Sequence, residues 1–85
     1  MELIQTGKIV NTHGIHGELK VISWARNPED LLGIKIFYID EKPYEVEKAR
    51  IHKGSVLLKL CEITNMDDAV ALKNRILYAN KEDFE

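Results

Sequence analysis

Gly7-Lys8-Ile9-Val10-Asn11-Thr12-His13-Gly14-Ile15-His16-Gly17-Glu18-Leu19-Lys20-Val21 reads as a strand, a loop with two glycines three apart, and a second strand. Ile9 and Val10 are β-branched and sit between Gly7 and the turn-forming Asn11. After Gly17, residues Leu19 and Val21 share one face while Glu18 and Lys20 share the other, the period of a half-buried strand. The connector, Thr12 to His16, suits a hairpin loop closed through bulges. Gly14 and Gly17 are expected at positive φ or where another backbone comes close, because glycine does either without steric cost. Two readings of this loop stand side by side. It only closes the structure, or it is a rim that presents His13, Ile15 and His16 to a partner, as loops on rigid strands often do.

Working outward, strand signals dominate. Leu3 to Asn11 and Glu18 to Ile22 form the first pair. Asn27 to Gly33 follows as a turn or a single helical turn, with Pro28 placed at its start. Ile34 to Ile39 is rich in β-branched and aromatic residues and predicts a third strand, and Asp40 to Pro43 a hairpin turn. The fourth strand, Tyr44 to His52, begins with Tyr44 and Val46 on one face, then shifts its apolar phase to Ala49 and Ile51. Such a shift predicts a β-bulge, which bends a strand around a barrel. Ser55 to Ile63 is the fifth strand, with Val56, Leu58 and Leu60 on one face, and Arg75 to Ala79 the last.

One helix interrupts the strands. Asn65 is a good N-cap, Asp67 and Asp68 complement the dipole in the first turn, and Asn74 is a left-handed stop. Met66, Ala69, Val70 and Leu72 form an apolar stripe expected in the core. Six short strands and one short helix describe an all-β fold, a small six-stranded closed antiparallel barrel, because closure removes unpaired edges.

Eighty-five residues make one domain, and a chain this short buries only about 60–65% of its unfolded surface. A net charge of −2 argues against autonomous, field-driven nucleic-acid binding. Lys48, Arg50 and His52 alternate along one strand face beside Lys53, a pattern read as a solvated outer face. Cys61 is the only cysteine, so no internal disulfide forms, and it is read as a small strand residue. Neither a signal peptide nor a membrane-length apolar run is visible, and a cytoplasmic protein is expected.

Two constellations carry residue types suited to chemistry. His13 and His16 are spaced His-x-x-His, but structural zinc wants four ligands and catalytic zinc three, so His52 and Cys61 would have to converge on them. No motif brings Asp40, Glu41, His13 and Ser55 together as a nucleophile, base and oxyanion site. No metal, no cofactor and no enzymatic activity are expected. An independent RNA-binding barrel remains as an alternative. It would use a positive groove and an aromatic platform, for which Trp24, beside Arg26, is the candidate.

Three motifs together resemble the N-terminal domain of the ribosome maturation factor RimM family. They are Gly7-Lys8-Ile9, the turn His13-Gly14-Ile15-His16-Gly17-Glu18, and the strand Leu19-Lys20-Val21. The helix with Asp67, Ala69 and Leu72, followed by Ile76-Leu77-Tyr78, is a weaker second match, with Asn74 standing where the family usually has glycine. The resemblance implies a barrel of the translation-factor type and a non-enzymatic assembly factor for the small (30S) ribosomal subunit, acting in 16S rRNA processing. It also implies binding at the head of the subunit through ribosomal protein S19, with 16S rRNA as a further partner. Family members carry a C-terminal PRC-type barrel, so residues 1–85 are expected to be the first domain of two, with the second absent. The residues expected to meet the partner are His13, Gly14, Ile15, His16, Gly17 and Glu18, with Trp24 and Arg26 as neighbours.

Overall fold

The computed structural model describes residues 1–14 and 16–84. Six strands, β1 (Leu3–His13), β2 (Glu18–Ser23), β3 (Ile36–Ile39), β4 (Lys42–His52), β5 (Ser55–Leu60) and β6 (Ile76–Asn80), close into a barrel. Their order around it is β1-β2-β5-β4-β3-β6, with every pairing antiparallel. A 3-10 turn at Pro28–Leu31 starts at the expected proline. Helix α1 (Met66–Ala71) lies between β5 and β6, and a one-turn helix α2 (Lys81–Phe84) follows β6. The acidic tail gave no expectation of that second helix. No helix among the described residues is long and apolar enough to cross a membrane.

The barrel interior follows from the period-2 pattern. Ile9, Leu19, Val21, Phe37, Ile39, Val56, Leu58, Leu60 and Leu77 are each 0–1% exposed and form one cluster. Each such side chain contributes about 1.5–3 kcal/mol relative to leaving it in water. The phase shift in β4 is a bulge, since the register against β5 slips between Val46 and Lys48. Strand β1 carries two more slips. One lies between Gln5 and Gly7 against β6, the other between Ile9 and Asn11 against β2. At the first, Thr6 is fully buried and its hydroxyl donates to the Leu77 carbonyl oxygen at 3.1 Å.

Several boundaries differ from the sequence reading. Strand β1 runs through Asn11 to His13, because the slip at Val10 lets the ladder continue, so the connector shrinks to residues 14–17. Asp40 and Glu41 alone make the β3–β4 turn, both at positive φ, and β4 therefore begins at Lys42. Strand β5 ends at Leu60, leaving Cys61 exposed beyond it. In α1 the expected core stripe splits. Ala69 and Leu72 are buried, whereas Met66 is 43% and Val70 50% exposed. Ala69 and Leu72 share one side of the short helix, and Met66 and Val70, four residues apart, share another that faces solvent.

Candidate functional site

The β1–β2 hairpin places the expected binding residues. His13 ends β1 opposite Glu18, which opens β2. Gly14 (φ 74°) and Gly17 (φ 87°) both adopt the left-handed conformation expected of them. They differ in surroundings. Gly14 is exposed with open space where a Cβ would lie, whereas Gly17 is buried against the backbone of Ile63 and Asn65. His16 is exposed, and Ile15 lies outside the described residues.

Trp24 and Arg26 are not neighbours of this loop. Ser23 pairs with Gly7 while Glu18 pairs with His13, so the two groups sit at opposite ends of the hairpin. The six residues of β2 separate them by about 20 Å at ~3.3 Å per residue. Trp24 is 49% exposed, and its backbone N–H donates to the Thr6 carbonyl oxygen at 2.9 Å. It stands as a separate apolar feature beside Ile22, which is 42% exposed.

The structure instead brings His52 to the hairpin. The His13 and His52 rings lie with centroids 5.5 Å apart, tilted by 54°. Around them the ladder sets one outward face. Lys20 is opposite Leu57, Leu57 is opposite Arg50, and His52 is opposite Ser55. Leu57 is 1% exposed yet belongs to the face opposite Val56 and Leu58, outside the core cluster, with Lys20 and Arg50 on either side. The Nε of Arg50 lies 3.8 Å from a carboxylate oxygen of Glu18. Desolvation lowers the His52 pKa below the usual 6.5, and Lys53, Arg50, His13 and Lys20 lower it further. The sequence showed the Lys48-Arg50-His52 alternation but not that Lys20 and His13 join it.

Elsewhere the chemistry is sparse. Cys61 lies 3.8 Å from a Glu45 carboxylate oxygen, and desolvation together with Glu45, Glu47 and Glu62 pushes its thiol pKa up, which disfavours the nucleophilic thiolate. No cluster of three or more metal-ligating side chains occurs among the described residues. An open groove between Leu3, Asp40, Arg75 and Tyr78 lies on the β3–β6 side, its polar groups tied together by an Asp40–Arg75 ion pair at 3.3 Å. Lys59 is buried, and its ammonium donates to the carbonyl oxygens of Leu60 and Ile63.

The family model for the RimM N-terminal domain matches residues 4–84. A ribosome maturation factor RimM from Clostridium novyi is 37% identical over 82 residues, covering 96% of this chain and 51% of the relative. The corresponding protein of Ligilactobacillus salivarius is 38% identical over 90 residues, covering all of this chain and 54% of its own length. The chain thus spans about half the length of the curated relatives it matches. Among solved structures, a 16S ribosomal RNA processing protein RimM from Pseudomonas aeruginosa superposes with a TM-score of 0.83 at 26% identity, over 95% of this chain and 52% of that one. The N-terminal domain of RimM from Thermus thermophilus superposes with a TM-score of 0.86 at 19% identity, over 100% and 96% of the two chains, and shares the barrel fold.

Proposed function

The chain belongs to the RimM family as its N-terminal domain, and from that premise we propose that it is a binding module in maturation of the small (30S) ribosomal subunit. The observation that carries the reading is the match over residues 4–84 to a family whose members are named ribosome maturation factors. In this reading the protein works without catalysis, in the cytoplasm, and supports 16S rRNA processing by binding the subunit head through ribosomal protein S19. The barrel is the first of two domains, which accords with relatives about twice its length. The binding residues proposed are His13, Gly14, His16, Gly17 and Glu18 at one end of the β1–β2 hairpin, with Trp24 and Arg26 as a second contact at the other, and Ile15, which lies outside the described residues.

Support for a binding role comes from the way the loop is held. Its ends are fixed by the ladder at His13 and Glu18, and Gly17 is pinned against the α1 approach, so His16 is offered on a rigid base. The test is co-sedimentation of the chain with immature 30S particles, paired with an NMR titration against S19. Co-migration with the particle and shifts at residues 13, 14 and 16–18 are expected. Absence of both, when a longer chain carrying the second domain binds, would move the activity to that domain.

A further inference from the structure

We propose that the outer face of β2, β5 and β4, together with His13, binds the phosphate backbone of RNA through Lys20, Arg50, Lys53 and the His13–His52 pair. The proposal deepens the ribosomal reading above by naming a ligand chemistry and a surface. It rests on where the chain concentrates charge. The molecule as a whole is net negative at −2, yet strands β1, β2 and β4 and the β4–β5 turn bring two lysines, an arginine and two imidazoles around one patch. Gathering like charges costs free energy, and only Arg50 among them is ion-paired among the described residues, with Glu18. Lys20 and Lys53 are exposed and form no ion pair there.

The face is also built rather than incidental. Leu57, 1% exposed, sits between its cross-strand partners Lys20 and Arg50, an apolar position of the kind that long cationic stems cover while their charged heads stay in water. The ring pair brings β1 to β4, with centroids 5.5 Å apart. An array of cations on a stiff sheet suits a polyanion, because each neutralised phosphate releases condensed counterions. Ammonium and guanidinium groups spread over a sheet face suit phosphate contacts, which position RNA without reading its sequence. Arrival of phosphate also reverses the field at His52. The groups around that ring are Arg50 on its own strand, Lys53 in the turn that follows, His13 from β1 and Lys20 from β2, with Glu18 already engaged by Arg50. A bound anion therefore favours the imidazolium, and binding tightens as pH falls.

The test is fluorescence anisotropy of the chain with a labelled short RNA hairpin, titrated at several salt concentrations and at pH 8 and pH 6. The triple variant Lys20→Gln/Arg50→Gln/Lys53→Gln is compared with Lys35→Gln/Lys73→Gln, which removes exposed charge elsewhere. Circular dichroism confirms that each is folded. The triple variant is expected to bind at least tenfold more weakly, with a salt slope shallower by about two, since each phosphate contact contributes roughly 0.7–0.9. The control is expected to bind within about twofold of the parent, and His52→Ala to lose the gain in affinity at pH 6. No RNA binding by the parent chain, or a triple variant that binds as the control does, overturns the proposal. Co-sedimentation with 30S particles separates it from the reading it rests on. A triple variant unimpaired in RNA binding, from a parent that still co-sediments, sinks the phosphate face and leaves the ribosomal role standing. A patch-dependent RNA affinity in a parent that does not co-sediment does the reverse.

Discussion

Gly17 packs so closely on Ile63 that a Cβ added to it would lie 2.9 Å from the Ile63 carbonyl oxygen. The β1–β2 loop and the segment leading into α1 are thereby locked backbone to backbone. Gly17→Ala would meet both this contact and the strain of φ 87°, and is expected to cost about 2–4 kcal/mol. Gly14→Ala meets only the strain of φ 74° in open space and should cost about 1 kcal/mol. Urea midpoints for the two variants check the difference, and equal losses would show that Ile63 yields freely.

The same Ile63 carbonyl receives the buried ammonium of Lys59, which also donates to Leu60 at 2.9 Å. Lys59→Met keeps the length of the side chain and removes the donor, leaving the Ile63 carbonyl to find another partner while the Leu60 carbonyl keeps the Ile63 N–H at 3.1 Å. A loss of about 1–3 kcal/mol is expected, read from chemical denaturation. Lys48→Met, its exposed cross-strand neighbour, should stay within about 0.5 kcal/mol of the parent.

The Asn65 side-chain oxygen accepts from the Asp68 backbone N–H at 2.8 Å, capping α1 as its sequence position suggested. Asn65→Ala is expected to cost about 1 kcal/mol, and Asn65→Ser, which keeps a capping oxygen without setting a second carboxylate against Asp68, to retain most of the stability. Thermal melts of the two variants suffice, and an Asn65→Ala chain as stable as the parent would show that packing alone holds this short helix.

What the sequence made legible was local. The β4 bulge showed as a phase shift at Val46 to Ala49, the N-cap as Asn65 ahead of Asp67 and Asp68, and the left-handed stop as Asn74, found at φ 72°. Closure of the barrel was inferable because so many short strands leave few other ways to cover their edges. Hidden features depended on chain segments far apart. Gly7 looked like a strand-flanking residue, but a Cβ there would lie 2.5 Å from the Ile22 carbonyl oxygen, a constraint set by the partner strand. Thr12 and His13 looked like connector, yet after the slip at Val10 both pair with β2. The approach of His52 to His13 and the burial of Leu57 outside the barrel interior arise from how the closed sheet coils, which no local pattern encodes.

Desolvation and the surrounding cations hold the His52 pKa below 6.5 in the folded chain, so the unfolded chain binds more protons as pH falls. Stability linked to this ring is therefore fully present above about pH 6.5, the unfolded value, and is lost as pH falls through the depressed folded value. Urea midpoints measured between pH 7.5 and pH 5.5 should decline in the parent and decline less in His52→Gln, which keeps a polar side chain but does not titrate. Arg50→Gln and Lys53→Gln remove two of the charges acting on the ring, so each should raise the His52 pKa and shallow the decline as well. NMR titration of the His52 ring protons gives the direct reading. Parallel pH profiles for the parent and His52→Gln would show that the cationic surroundings do not govern this ring.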